Sequence, residues 1–151
     1  MTKHLNKSEM KKEFINVDKK MKNAFEYTDG NPASFSRGVV VSGQTKTLYV
    51  SGTASIGSNG ETLHKGDFDH QTRQTFVNLT HVLNEAYFEW KDVIRLTIYL
   101  RDIDRDYAEF NKIRKKLFGD YGIVNLPAST CIGAKICRSD LLVEIELIAM
   151  K

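Results

Sequence analysis

Apolar residues near the start of the chain recur at helical intervals, with Met10, Phe14, Val17, Met21 and Phe25 stepping by four, three, four and four. This spacing predicts an amphipathic helix over residues 8–25 with a Lys-rich outer face and Ser8 as its N-cap. Asp29-Gly30-Asn31-Pro32 ends the pattern as a turn. Two β-prone runs follow at 38–42 and 47–53, and Gly43-Gln44-Thr45-Lys46 between them predicts a hairpin. After the turn at Gly57-Ser58-Asn59-Gly60, residues 61–64 add a short third strand. Asp67 or Asp69 then caps a helix whose stripe is Phe76, Leu79, Leu83 and Ala86. Residues 93–101 alternate, with Ile94, Leu96, Ile98 and Leu100 on one face and Val93, Arg95, Thr97, Tyr99 and Arg101 on the other. Asp104 caps a second helix with Tyr107, Phe110, Ile113 and Leu117 inward, and final β runs are expected at 128–135 and 141–149.

The order is therefore β-β-β-α-β-α-β-β, preceded by an extra N-terminal helix. A βαβ crossover requires parallel strands, so the class is α+β, a mixed sheet with both helices on one face. Residues 1–30 read as a helical extension and 31–151 as one domain, within the usual size of such units. Two helices cover only one side of the sheet. The uncovered side carries Tyr49, Tyr99 and strand-borne apolar groups, and such a face is normally buried against another subunit in a closed homo-oligomer.

Charge narrows the partners. The net charge is +3, yet residues 1–25 hold seven Lys against Glu9, Glu13 and Asp18, a net of +4 that leaves −1 for residues 26–151. A domain without net positive charge argues against nucleic acid as the partner. No apolar run approaches the length needed to span a bilayer and no signal-peptide core follows the basic start, so no membrane contact and a cytoplasmic address are expected. Cys131 and Cys137 lack a metal-ligand grouping, and the four His are scattered, so neither cofactor nor metal is expected.

The last strand carries the candidate chemistry. Glu144 and Glu146 share a face inside the otherwise apolar run Leu141-Leu142-Val143-Glu144-Ile145-Glu146-Leu147-Ile148. A carboxylate among apolar residues must meet a cation, line a cleft suited to acid–base work, or face solvent from an edge strand. Three segments, Leu126-Pro127-Ala128-Ser129-Thr130-Cys131, the 143–149 ending and Leu48-Tyr49-Val50-Ser51-Gly52-Thr53, together resemble the YjgF/RidA family, also called L-PSP or reactive-intermediate deaminases. Residues 71–79 are similar to its first helix and 92–101 to its central strand, so the resemblance runs in order from Phe35 to Ala149.

The resemblance implies a chorismate-mutase-like fold and a homotrimer with a small-molecule cleft at each subunit interface. It also implies hydrolysis of enamine or imine intermediates. On that pattern Glu144 holds the attacking water as acid/base, Cys131 and Gly52 line the cleft through backbone contacts, and Asn111 joins from the second helix. Two positions depart. Ser129 stands where the family has an arginine that pairs with the substrate carboxylate, and Phe35 stands where it has a tyrosine. Serine cannot supply a charged bidentate fork, which puts the classical imine deamination in question. Arg37, Lys135 and Arg138 are the candidate replacement cations. Residues 51–56 and 137–146 also resemble the C-terminal domain of chorismatases, which act on an enol ether.

The expected function is hydrolysis of a small enamine, imine or enol-type metabolite. The alternatives are a ligand-binding or regulatory trimer without catalysis, and an L-PSP-type endoribonuclease. The near-neutral domain and the lack of a basic–aromatic stripe weigh against the last.

Overall fold

A computed structural model describes residues 9–16 and 33–151. Strands β3 (Thr47–Ala54), β4 (Val93–Leu100), β5 (Ala128–Gly133) and β6 (Val143–Met150) form one sheet in the order β3-β6-β4-β5. Helices α1 (Phe68–Glu85) and α2 (Ile103–Asp120) connect β3 to β4 and β4 to β5. The α2 crossover joins adjacent parallel strands, as the alternation and helix spacing require. The α1 crossover spans β6, which inserts antiparallel between β3 and β4.

Both helices pack on one face. Phe76, Leu79 and Leu83 from α1 and Phe110 and Phe118 from α2 meet Leu96, Ile98, Leu100, Val143, Ile145 and Leu147. Phe76 stacks on Trp90 at 5.2 Å and meets Phe118 edge-on at 6.1 Å. The Trp90 indole donates to Thr80 Oγ1 at 2.8 Å, so the largest aromatic is buried with its polar atom satisfied. Asp67 caps α1 by accepting from the His70 N–H at 3.1 Å.

Several expectations are corrected. Residues 11–15 are a strand, β1 (Lys11–Ile15), not part of a helix; β1 pairs antiparallel with β2 (Gly38–Ser42) from Lys11↔Ser42 to Ile15↔Gly38. The misleading signal was the step of four between Met10 and Phe14, which puts both residues on one face of a helix and equally of a strand. Lys12, between them, donates to the Lys91 carbonyl at 2.8 Å and lies 3.7 Å from Asp92. Residues 17–25, Ser8 and the turn at 29–32 lie outside the described residues.

The 38–42 and 47–53 runs do not form a hairpin. β2 takes β1 as its partner and β3 takes β6, steered by the Thr45 and Lys46 N–H groups, which bond the Lys151 carbonyl at 2.9 and 2.8 Å. The third strand shrinks to an isolated bridge between Ile56 and Thr62. Asp102, not Asp104, caps α2, accepting from the Arg105 N–H at 3.1 Å. Tyr107 is 37% exposed rather than inward, because it stands one residue off the buried stripe through Asp106 and Phe110. Val93 joins the buried face through a register shift between Val93 and Arg95.

The sheet face away from the helices carries Tyr49 on β3, Arg95, Thr97 and Tyr99 on β4, Thr130 and Ile132 on β5, and Glu144, Glu146 and Ile148 on β6. Among the described residues no element covers it, and Tyr49 is 74% exposed. No helix among the described residues is long and apolar enough to cross a membrane.

Candidate functional site

The sequence-derived candidates fall into two groups on opposite faces of the sheet. The first centres on Glu144, which alternates with Val143 and Ile145 of the core and therefore looks out of the open face. Its strand is held by a buried amide: Gln71 donates to the Asp140 carbonyl at 2.8 Å and accepts from the Leu142 N–H at 2.8 Å. Arg101 adds hydrogen bonds to the Leu141 and Ile136 carbonyls at 2.6 and 3.2 Å. The register of β3 against β6 slips between Val50 and Thr53, so Ser51 and Gly52 together oppose Glu146 as a β-bulge. The Glu144 carboxyl lies over Gly52, where an added Cβ would come within 2.8 Å of the Glu144 Cδ. Glycine at this position is a requirement of close approach.

Beside it stands Tyr99, and partial desolvation, reinforced by the neighbouring Glu146 and Glu144 carboxylates, raises the phenol above its ordinary range. A shallow groove of about 300 Å³ runs over this surface past Tyr49, Ser51, Arg95, Thr97 and Glu146. The open face thus pairs carboxylates with hydroxyl groups and an exposed tyrosine. That set can hold and polarise a water molecule.

The second group lies on the helix side. Arg114 of α2 is 2% exposed. It donates through Nε to Ser34 Oγ at 3.0 Å, through Nη1 to Ser129 Oγ at 2.9 Å and through Nη2 to Asn111 Oδ1 at 2.6 Å. Its guanidinium stands 5.8 Å from the Phe35 ring centre and 5.2 Å from that of Phe110. Phe35, Asn111 and Ser129 are thereby brought together. Cys131, two residues along β5, packs against the core, and burial pushes its thiol up to about 11, with Arg114 opposing the shift.

Arg138 goes elsewhere: its Nη1 donates to the Gly60 carbonyl at 2.6 Å, holding the 57–61 turn. The cation at Ser129 is therefore Arg114, which was not among the three candidates. Its signal was present, because Arg114 follows Phe110 by four residues and Asn111 by three, placing two polar side chains on the inward side of α2. Among the described residues no group of three or more His, Cys, Asp and Glu could hold a metal ion.

An α+β chain with two helices behind a mixed sheet, and polar groups on its open face and beneath α2, defines a recognisable class. The family model described as Endoribonuclease L-PSP matches residues 11–151, and the chain belongs to this YjgF/RidA/RutC family. A RutC family protein of Pyrococcus horikoshii is 34% identical over 69% of this chain and 79% of its own length. The 3-aminoacrylate deaminase RutC of Acinetobacter baylyi is 30% identical over 80% of this chain and 92% of its own. A crystal structure of YyfB, of the conserved Rid protein family in Yersinia pestis, aligns over 93% of this chain and 98% of its own with TM-score 0.76 and 27% identity.

Proposed function

We propose that the protein is a homotrimeric hydrolase of a small enamine, imine or enol-type metabolite, with Glu144 as acid/base in a cleft between two copies. The observation that carries this reading is the seating of the Glu144 carboxyl on Gly52 at the β-bulge of an uncovered sheet face. Bulges re-aim side chains and are enriched beside active sites. The two candidate groups lie on opposite faces, because Glu144 pairs with Tyr99 while Cys131 pairs with Ile98 one step along β4. A cleft using both must draw them from different copies, and the open face is the surface that a second copy would cover. The deaminase named among the relatives supports the reaction class.

For an enamine the step balances as follows. A proton is delivered to the carbon β to nitrogen, giving an iminium. Glu144 takes a proton from water as the water oxygen adds to the C=N carbon. Glu144 returns its proton to nitrogen, the C–N bond breaks as ammonia leaves, and the hydroxyl of the adduct gives its proton back to the acid that protonated carbon, leaving the carbonyl product. Positioned proton transfer of this kind contributes roughly 10²–10⁴-fold in rate. Ammonia release from freshly generated 3-aminoacrylate and related imines tests the reading, with loss of at least about 10²-fold expected for Glu144→Gln. Equal rates in the two proteins would remove Glu144 from the mechanism.

Ser129 at the family's arginine position favours a second reading, a trimer that binds a metabolite without converting it. A ligand that raises the Tm while no product forms would establish that reading in place of the first.

A further inference from the structure

The end of the sheet remote from Glu144 holds a second pocket. Met10, Lys12 and Phe14, in β1 and just before it, alternate with the exposed Lys11 and Glu13 and so share one face. That face, with Asp92, Ile123 and Val124, lines an open pocket of about 440 Å³, within the size range of small-molecule sites. Asp92 precedes β4, whereas Tyr99, opposite Glu144, lies near its far end. Seven residues at roughly 3.3 Å each put about 23 Å between this pocket and the Glu144 site.

The pocket is marked by where its charges lie. A lysine ordinarily keeps its ammonium in water while its stem follows apolar surface. Here the Lys12 side chain is 11% exposed and that of Asp92 9%, so both charges are largely withdrawn from water. Their 3.7 Å separation is too long for a direct hydrogen bond. The ammonium gives one N–H to the Lys91 carbonyl at 2.8 Å, and Asp92 Oδ2 takes the Glu89 N–H at 3.0 Å, leaving Oδ1 as the oxygen nearer Lys12. Burial pushes the Lys12 ammonium below its ordinary range, opposed by the Asp92 carboxylate. A desolvated lysine is a nucleophile toward carbonyl carbon, and an adjacent carboxylate can relay its protons. The pair is neutral as a whole and the other walls are apolar, which selects an uncharged ligand.

We infer that this pocket is a second reactive site, in which Lys12 condenses with a small uncharged aldehyde or ketone to form an imine. Asp92 takes a proton from the Lys12 ammonium, and the amine nitrogen adds to the carbonyl carbon as the C=O π bond opens. Asp92 returns that proton to the alkoxide oxygen, takes another from nitrogen and gives it to the hydroxyl, which leaves as water. The product is a protonated imine whose positive charge replaces that of the ammonium beside Asp92. No oxidant or reductant enters, and hydrolysis runs the same steps backwards.

The test traps that imine. The full chain is treated with limiting benzaldehyde and sodium cyanoborohydride, which reduces the C=N bond to a stable secondary amine, and labelled lysines are located by peptide mass spectrometry. Lys12 should label at least about tenfold faster than Lys11, its exposed neighbour on the same strand. With glyoxylate, which brings a carboxylate toward Asp92, the ratio of Lys12 to Lys11 labelling should fall by at least about threefold. Lys12→Arg keeps a charge beside Asp92 but cannot condense. It should remove the fast phase of labelling and leave the Tm and ammonia release from enamines unchanged.

Lys12 labelled no faster than Lys11, the same ratio with both aldehydes, or a fast phase surviving in Lys12→Arg would each overturn the inference. Loss of ammonia release in a folded Lys12→Arg would assign Lys12 to the Glu144 site and overturn it as well. Should wild type release no ammonia, the hydrolase reading alone falls, and the labelling ratios still decide this one.

Discussion

At the scale of single residues, close approach and burial make separable claims. Gly52→Ala introduces a Cβ into the space of the Glu144 carboxyl, which is the flexible end of a side chain and can swing away. The Tm should therefore change little while kcat/KM falls by about tenfold or more, as expected when an acid/base group is displaced. A large drop in Tm with activity intact would contradict the contact. The two cysteines should differ in reactivity. Cys131, its thiol pushed up to about 11 by burial, holds only about a thousandth of its population as thiolate at pH 8. Cys137 is exposed, so alkylation followed by peptide mass spectrometry should find it modified first and Cys131 nearly untouched. Glu144 and Glu146 stood out because a strand alternates and a carboxylate in an apolar run is conspicuous, whereas Gly52 entered only through the family resemblance, and its close approach to Glu144 needed the pairing of β3 with β6. Arg114 was not, because a long side chain delivers its charge several ångströms from its own backbone. The substitution at Ser129 read as a lost charge until the helix opposite was in view.

At the scale of elements, local periodicity carried most of the fold. α1, α2, β4 and β6 follow from stripes and alternation that each element contains within itself. The partners of β2 and β3 do not: β2 turns back to β1 from Lys11↔Ser42 to Ile15↔Gly38, and β3 depends on residues about 100 positions away, such as Lys151 against Thr45 and Lys46. β1 was misread because Met10, just before it, and Phe14 within it satisfy both periods, and its Lys residues resemble a solvated helix face. The packing of α1 gives a direct check: Phe76→Ala should cost about 3–5 kcal/mol in urea unfolding, since Phe76 sits fully buried between Trp90 and Phe118. The α1 cap has a pH signature. Asp67 lies below its ordinary 3.8, chiefly through the His70 backbone N–H and then through the His70 side chain. A lowered folded value means that the stabilisation is complete above pH 3.8 and fades as pH falls through the lower folded value. Asp67→Ala should thus lower the Tm near neutrality and converge on wild type in acid.

At the scale of the whole molecule, the uncovered sheet face and the split between the two candidate groups point to the same arrangement. Three copies of 17.2 kDa should give a particle of about 52 kDa in light scattering. Ile148→Lys, on the open face, should reduce that mass and the activity together while each chain keeps its helical content. The most direct test is subunit complementation. Glu144→Gln chains, expected to be nearly inactive, and Asn111→Asp chains, expected to bind substrate poorly, are mixed in equal amounts under conditions that exchange subunits, and ammonia release from an enamine is measured at substrate well below KM. If each cleft takes Glu144 from one copy and the Arg114–Asn111–Ser129 group from another, random mixing leaves about a quarter of the clefts intact, and about a quarter of wild-type activity should return. A mixture no more active than its parents would contradict a cleft shared between copies.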